Sequence, residues 1–237
     1  MSAVGGQSAS ATPGGTTLNR MATADRYNAW LLERALPYLG RRVLDAGAGI
    51  GTFTAQVAKG HDVVAVEPDP GSAHLLRQRF ASSPAVTVVE ADARDLDAEA
   101  LGAFDSVLCF NVLEHVADDV AALRRFRDLL RPGGVALVLV PAHPVLYGDI
   151  DRTVGHERRY TKGGVSRVLR SAGFTVEKLH HVNPVGTLGW FLAGRVLHRT
   201  EVPAGPLRLY DLVVPVIRWL DRVQLPFGLS LWAVARA

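Results

Sequence analysis

The sequence predicts an α/β domain in which a mostly parallel sheet carries helices on both faces. Three observations lead there. From Arg41 onward short β-rich runs alternate with helical patterns; a Gly-rich turn, DAGAGIGTFT from Asp45 to Thr54, follows the first run; and an acid recurs at the end of each of the first three runs. At 237 residues the chain has room for one such domain with elaborations and is short for two.

Taken in order, residues 1–20 are rich in Gly, Ser, Ala and Thr and lack the cationic start and apolar core of a signal peptide, so they read as a flexible tail. Residues 21–237 read as the domain. Asp25 to Leu39 reads as a leading helix with Tyr27, Trp30 and Leu31 on or near one face. Strands are expected at Arg42–Asp45, Asp62–Glu67, Val86–Glu90, Phe104–Phe110 and Val135–Val140, each a short run rich in β-formers. Helices are expected between them at about Gly51–Ala58, Gly71–Ala81 and Ala117–Leu130, and after them at Lys162–Ala172. In the helix before the fifth strand, Leu123, Phe126 and Leu130 share a face, and Arg131-Pro132-Gly133-Gly134 supplies the stop. Phe174–His181 and Ser230–Ala235 complete seven strands, separated by an insertion, 183–228.

Composition removes several classes of function. The net charge is +3 with no dense Lys/Arg run, which argues against a nucleic-acid partner. The single cysteine, Cys109, excludes an internal disulfide framework, fits a reducing cytoplasm, and sits in an apolar run as a structural thiol. The most apolar segment, Val185 to Leu197, is shorter than a membrane span. His180-His181 has no Cys or acidic partner at ligand spacing, so no metal is expected.

The glycine loop narrows the ligand. Its spacing is G-x-G-x-G, with Thr52 where a dinucleotide fingerprint wants its third small residue, and no Gly-Lys-Ser/Thr of a phosphate loop follows. Asp45, directly ahead of the glycines, suits a cationic group better than a pyrophosphate. Glu67 ends the second run about where a carboxylate can accept both ribose hydroxyls, and Asp92 follows the third, where it can receive an adenine amino group.

The ordered set Asp45, Glu67, Asp92, NVLEHV and RPGG resembles the class I S-adenosylmethionine-dependent methyltransferases, over roughly Tyr27 to Val140. The resemblance implies that family's seven-stranded, mostly parallel sheet with the last strand antiparallel. It implies S-adenosylmethionine as cofactor, with the methionine part on Asp45, Gly47 and Gly49, the ribose on Glu67, and the adenine edge on Asp92 and the Ala93 backbone. It places Asn111 and His115 along the cofactor pocket, with Tyr27 as a covering aromatic. For Tyr27 the bland alternative is a core aromatic on a helix face, and for His115 a residue that bonds its loop.

The acceptor side is read from residues 141–160, a polar segment beyond the fifth strand, where substrates bind in this architecture. His156 and His143 are the candidate bases, and Tyr147, Asp151, Arg159 and Tyr160, with Trp190 from the insertion, the candidate acceptor contacts. The alternative is a loop whose Arg159–Asp151 pair holds its shape while Tyr160 packs into the next helix. PAH followed by GHERRY looks like a subgroup of bacterial small-molecule methyltransferases that often accompany biosynthetic enzymes. The expectation is methyl transfer to a small-molecule or lipid-like acceptor, oxygen ahead of nitrogen and carbon, in secondary-metabolite, glycan or lipid biosynthesis. Two rivals are a nicotinamide-dependent reductase, against which the missing Tyr-x-x-x-Lys pair counts, and a catalytically silent binding module.

The insertion offers three readings: a lid over an apolar acceptor, a homodimer surface, or a peripheral membrane contact aided by Arg195, Arg199, Arg208, Arg218 and Arg222 and diluted by Asp211 and Asp221. In it Leu209, Leu212, Val216, Trp219 and Val223 recur at spacings of three and four, an amphipathic helix that Pro215 would kink.

Overall fold

The computed structural model describes residues 23–92, 94–197, 204–221, 223 and 225–237. Seven strands form one sheet in the order β3-β2-β1-β4-β5-β7-β6. They are β1 (Arg42–Ala46), β2 (Asp62–Glu67), β3 (Val86–Glu90), β4 (Phe104–Phe110), β5 (Leu130–Pro141), β6 (Thr175–Val182) and β7 (Ser230–Arg236). The first five run parallel, and β7 lies antiparallel between β5 and β6, as the resemblance implied. The central strands bury both faces, which explains their nearly unbroken apolar runs.

Side chains alternate between two cores. Leu44, Val64, Val138 and Ala233 point to one, with Leu123, Phe126 and Leu169 of the covering helices. Val43, Val63, Leu137 and Trp232 point to the other, with Tyr27, Trp30 and Leu31.

The helices, in chain order, are α1 (Asp25–Glu33), α2 (Thr54–Val57), α3 (Pro70–Phe80), α4 (Ala98–Leu101), α5 (Asp119–Leu129), α6 (Asp149–Thr153), α7 (Lys162–Ser171), α8 (Pro184–Trp190) and α9 (Ala204–Asp221). Capping sets several of the starts. The Asp69, Asp118 and Thr161 side chains accept from the backbone N–H three residues on, opening α3, α5 and α7.

Several boundaries differ from expectation. The leading helix ends at Glu33, and Leu36–Tyr38 form a separate 3-10 turn opened by Pro37. The helix expected from Gly51 begins only at Thr54, because Gly47, Gly49 and Gly51 all adopt positive φ. RPGG lies within the first residues of β5 rather than ahead of it. Helices α4, α6 and α8 were not foreseen.

The insertion gives the sharpest correction. In α9 the buried residues are Val214 and Ile217, which join the core of Tyr27 and Trp30. The stripe that periodicity marked as the apolar face points outward, with Leu212, Val216 and Trp219 each 60–64% exposed. Val223, just past the helix, is likewise exposed, and the Leu209 side chain lies outside the described residues. Periodicity finds an apolar face but not its partner, and α9 is apolar on more than one side. The expected roles of Arg199 and Arg222 lie outside the described residues, as do the side chains of Arg195, Arg208 and Asp221.

Candidate functional site

The strand order reverses between β1 and β4, and the crevice beyond their C-terminal ends is where an open α/β sheet binds its ligand. The turn after β1 forms one wall. A Cβ at Gly47 would lie 2.6 Å from Val112 Cγ2, and one at Gly51 would lie 2.5 Å from Phe80 Cε2 and 2.7 Å from Leu76 Cδ1. These glycines are needed because protein packs against them. Gly49 differs: its φ is +56°, and a Cβ there would meet nothing within 4 Å. It therefore presents bare backbone to open space, which is what close approach of a ligand requires.

Two buried carboxyls flank that space. Asp45, at 4% exposed, accepts a hydrogen bond from Thr54 Oγ1 at 2.6 Å. Burial pushes its pKa up to about 6, and the nearby Glu67 adds to the rise. Glu67, at 8% exposed, accepts from Gly49 N–H at 2.8 Å and Asp69 N–H at 2.9 Å, and burial raises its pKa too. Each Glu67 oxygen holds one backbone donor, so each keeps a free lone pair for a further donor. Neither acid has a Lys or Arg within ion-pair distance among the described residues. A crevice with two buried acids, bare glycine backbone and no countercharge fits a ligand that carries both cationic groups and hydroxyls.

The other expected cofactor residues are more mixed. Asp92 lies at the same edge, but Arg94 holds both its oxygens in a bidentate pair at 2.8–2.9 Å. Ala93 lies outside the described residues. Asn111 follows β4 exposed, with φ +55°. Tyr27 is 7% exposed and packs edge-on to Tyr210 at 5.9 Å, so its ring belongs to the core beneath α9 rather than to an open pocket wall. Of the two readings given for Tyr27, this packing matches the core aromatic.

Beyond β5 the polar segment folds over the end of β4. His156 Nδ1 lies 2.7 Å from Asp151 Oδ1, and its Nε2 lies 3.8 Å from Glu114 Oε1. Asp151, fully buried, also accepts from Arg159 Nε at 2.8 Å and Gly148 N–H at 3.0 Å. Burial alone would raise its pKa, but bonds to His156 and Arg159 bring it below the ordinary carboxylate range. Arg159, 5% exposed, donates to the Ala142 carbonyl and lies under the Trp190 ring, 4.6 Å from its centroid. Tyr160, also 5% exposed, donates to the Leu113 carbonyl at 3.0 Å and to Asp119 at 2.8 Å.

Asp151, Arg159 and Tyr160 are thus committed to the loop's own support. These bonds match the alternative in which the Arg159–Asp151 pair holds the loop and Tyr160 packs beside it. Trp190 covers Arg159 from the insertion, and Tyr147 donates from its hydroxyl to the His156 carbonyl at 2.7 Å. His143, with φ +60°, stacks on His181 at 5.0 Å between centroids, away from His156 in the network.

His115 stands between the two halves of the site. It is exposed, its Nδ1 lies 3.1 Å from the Gly155 carbonyl, and its ring meets His156 edge-on at 4.8 Å. A carbonyl can only accept, so Nδ1 carries the proton and Nε2 is left bare. Sequence reasoning quoted Glu114 within its motif but gave it no part. The carboxyl is 0% exposed and neither oxygen has a hydrogen-bond partner. Glu114, His115 and His156 bring one potential metal-ligand atom each within 4.8 Å of one another, a grouping that spacing in the sequence could not reveal. Thr54, whose hydroxyl holds Asp45, was also overlooked.

Comparisons agree with this geometry. The family described as Methyltransferase domain matches residues 44–136. A ubiquinone biosynthesis O-methyltransferase of Dinoroseobacter shibae is 41% identical over 193 residues, 73% of this chain and 76% of that one. One of the same name from Xanthomonas campestris pv. campestris is 40% identical over 102 residues, so this chain spans only 42% of that relative's length. The crystal structure of a SAM dependent methyltransferase from Archaeoglobus fulgidus superposes with a TM-score of 0.61 at 19% identity, covering 92% of this chain and 94% of the other.

Proposed function

This chain belongs to the class I S-adenosylmethionine-dependent methyltransferases, and from that premise we propose that it methylates a hydroxyl oxygen of a small-molecule or lipid-like acceptor in a biosynthetic pathway. When bound, S-adenosylmethionine supplies a methyl carbon made electrophilic by its sulfonium. Asp45 would hold the cofactor's ammonium group, the Gly49 backbone would lie against it, and Glu67 would take the ribose hydroxyls. The nicotinamide alternative falls away with the family.

The observation that carries the choice of oxygen is the Asp151–His156 pair at 2.7 Å. A neutral amine can attack with its own lone pair, whereas a hydroxyl gains nucleophilicity as it loses its proton, so a fixed base favours an oxygen acceptor. Asp151 accepts a hydrogen bond from Nδ1–H and leaves Nε2 as the accepting atom, the arrangement in which a buried acid fixes an imidazole tautomer. The names of the Dinoroseobacter and Xanthomonas relatives point the same way. His143 stacks on His181 and has no acid hydrogen-bonded to it among the described residues, so His156 is the better base.

The acceptor's character rests on the insertion. Leu188, Leu192, Leu212, Val216 and Trp219 are all more than half exposed, an apolar surface suited to a lipid-like molecule, a second copy or a membrane surface. No helix among the described residues is long and apolar enough to cross a membrane.

The test has two stages. Calorimetry of the protein against S-adenosylhomocysteine, NADH and NADPH should give heat with the first alone. A labelled methyl donor is then supplied with paired acceptors that differ only in carrying a hydroxyl or an amine. Label passing to the hydroxyl member, and falling about 10²–10⁴-fold in His156→Gln, is the expected result. Label on the amine alone, or full activity in that variant, would overturn the assignment; no turnover with any acceptor, despite binding, would return the silent module.

A further inference from the structure

His143 and His181 take no part in that scheme, and their donors go unanswered. His143 follows β5 and His181 is the last residue but one of β6, and their rings stack with planes 2° apart and centroids 5.0 Å apart. The Gly228 N–H lies 3.5 Å from His143 Nε2, so that nitrogen accepts and the proton sits on Nδ1. No hydrogen bond reaches either nitrogen of His181 among the described residues, and its Nδ1 is closed to solvent as well. Each neutral ring therefore carries one N–H for which the described residues offer no acceptor.

Lys162 joins the pair from the first turn of α7. His143 N–H donates to the Tyr160 carbonyl at 2.9 Å, and Ala142 and Tyr160 form a parallel bridge, which sets the start of α7 beside the residues that leave β5. Lys162 is exposed, and among the described residues no carboxylate lies within ion-pair distance of it, of His143 or of His181. Burial lowers the His181 pKa most, and His143 and Lys162 lower it further. On the opposite face of β6, His180 lies 3.3 Å from Arg34 Nη1 and is pushed down to about 4, by burial first and then by Arg34, Lys162 and Lys178. The end of β6 thus gathers donors and positive charge and supplies no acceptor, an arrangement that opposes folding and favours a negative ligand.

We propose that His143, His181 and Lys162 form a subsite for a phosphate-class oxyanion at the C-terminal ends of β5 and β6. Such a group is negative and accepts on every oxygen. One oxygen takes the His143 Nδ1–H, another takes a proton from His181 at Nε2, since Nδ1 is closed, and the Lys162 ammonium answers the remaining charge. The subsite shares no residue with the Gly49 crevice or the Asp151–His156 pair, and it stands whichever residue is the base. Ala142, next to His143, carries the carbonyl that holds Arg159, so the subsite borders the loop where an acceptor would lie. A phosphate carried on the acceptor and a free anion offer the same chemistry.

The test follows the imidazole ¹⁵N resonances of His143 and His181 in the full-length protein saturated with S-adenosylhomocysteine, so that the cofactor's own carboxylate is already placed. Inorganic sulfate, which keeps its charge from pH 6 to 8, and inorganic phosphate at pH 7 are each titrated against chloride at constant ionic strength. Both rings should respond together and saturate, and His181 should keep its proton to higher pH once sulfate is bound, because an anion favours the imidazolium. Lys162→Gln should weaken sulfate binding about 5–10-fold, and His181→Phe, which keeps a ring in the stack, should weaken it at least as much, with S-adenosylhomocysteine affinity unchanged in both. If His181→Phe does not fold, the exposed Lys162→Gln carries the test alone. A response that chloride reproduces, one that never saturates, or one undiminished in the variants overturns the subsite. Transfer to two hydroxyl acceptors that differ only in a phosphate monoester then identifies the source. A lower KM for the phosphorylated member that is lost in Lys162→Gln assigns the anion to the acceptor, and equal KM values with sulfate still bound assign it to a free anion. Failure of transfer to both would count against the oxygen chemistry alone, since the sulfate titration needs no turnover.

Discussion

Asp45→Asn should make the protein more stable and worse at holding its cofactor, and the size of the first effect follows from the buried carboxyl. In the unfolded chain Asp45 titrates at 3.8, and in the fold at about 6. Because the folded value is raised, the unfolded state releases its proton first, and stability falls as pH climbs from the lower value to the higher. Above both, the cost is about 3 kcal/mol at 1.36 kcal/mol per pH unit, and at pH 4.5 it is about 1 kcal/mol. Asparagine can still accept from the Thr54 hydroxyl without bringing a charge into the crevice. At about 2–4 °C per kcal/mol for a chain of this size, the variant should melt about 6–12 °C higher at pH 8 and only about 2–4 °C higher at pH 4.5. Scanning calorimetry of the two proteins at both pH values gives the comparison. Affinity for S-adenosylhomocysteine should fall about 10-fold or more with the loss of a charge-assisted contact. A gain independent of pH would refute the argument from ionisation, and a less stable variant at pH 8 would refute the argument from desolvation.

Glu67→Ala should weaken S-adenosylhomocysteine binding by about 1–3 kcal/mol in calorimetry, since it removes the ribose acceptor and unties the Gly49 and Asp69 amides. Gly49→Ala and Gly51→Ala should separate binding from folding. The first meets open space and should cost about 1–2 kcal/mol of stability through its positive φ while abolishing cofactor binding, and the second, pressed against Phe80 and Leu76, should lower the melting temperature far more. Arg159→Met should destabilise by about 3–5 kcal/mol in urea unfolding, because Asp151 is left buried with its main countercharge gone.

What could be read in the sequence was whatever depends on neighbours along the chain. A strand end, a glycine turn and an acid just past it lie within a few residues, so the positions of Asp45, Gly49 and Glu67 at the ends of β1 and β2 and in the turn between them could be read in advance. Contacts that join distant segments leave no such trace. Glu114 and His156 stand 42 positions apart in sequence and meet only because the segment after β5 folds across the end of β4. For Arg159 and Tyr160 the sequence left two readings open, acceptor contact or support of the loop, because it does not show what lies over them. What buried them was Trp190 laid over the first and Asp119 waiting for the second. In α9 the error had the same source: Val214 and Ile217 were chosen for the core by Tyr27 and Trp30 on a helix nearly two hundred residues earlier.

The buried acids sort themselves by what answers their charge. Asp151 meets Arg159, His156 and a backbone amide, and its pKa is lowered despite its burial, so folding gains from its ionised form. Asp45, Glu67 and Glu114 meet hydroxyl, amides or nothing, and their pKa values rise. Folding alone would favour a neutral residue at all three. Two of them border the open face of Gly49, where a cationic cofactor would repay the cost on binding, and the third lies 3.8 Å from the His156 imidazole. The same physics thus separates the acid that holds the loop from the acids whose charge folding alone does not favour, and it predicts that neutralising Asp151 will unfold what neutralising Asp45 makes more stable.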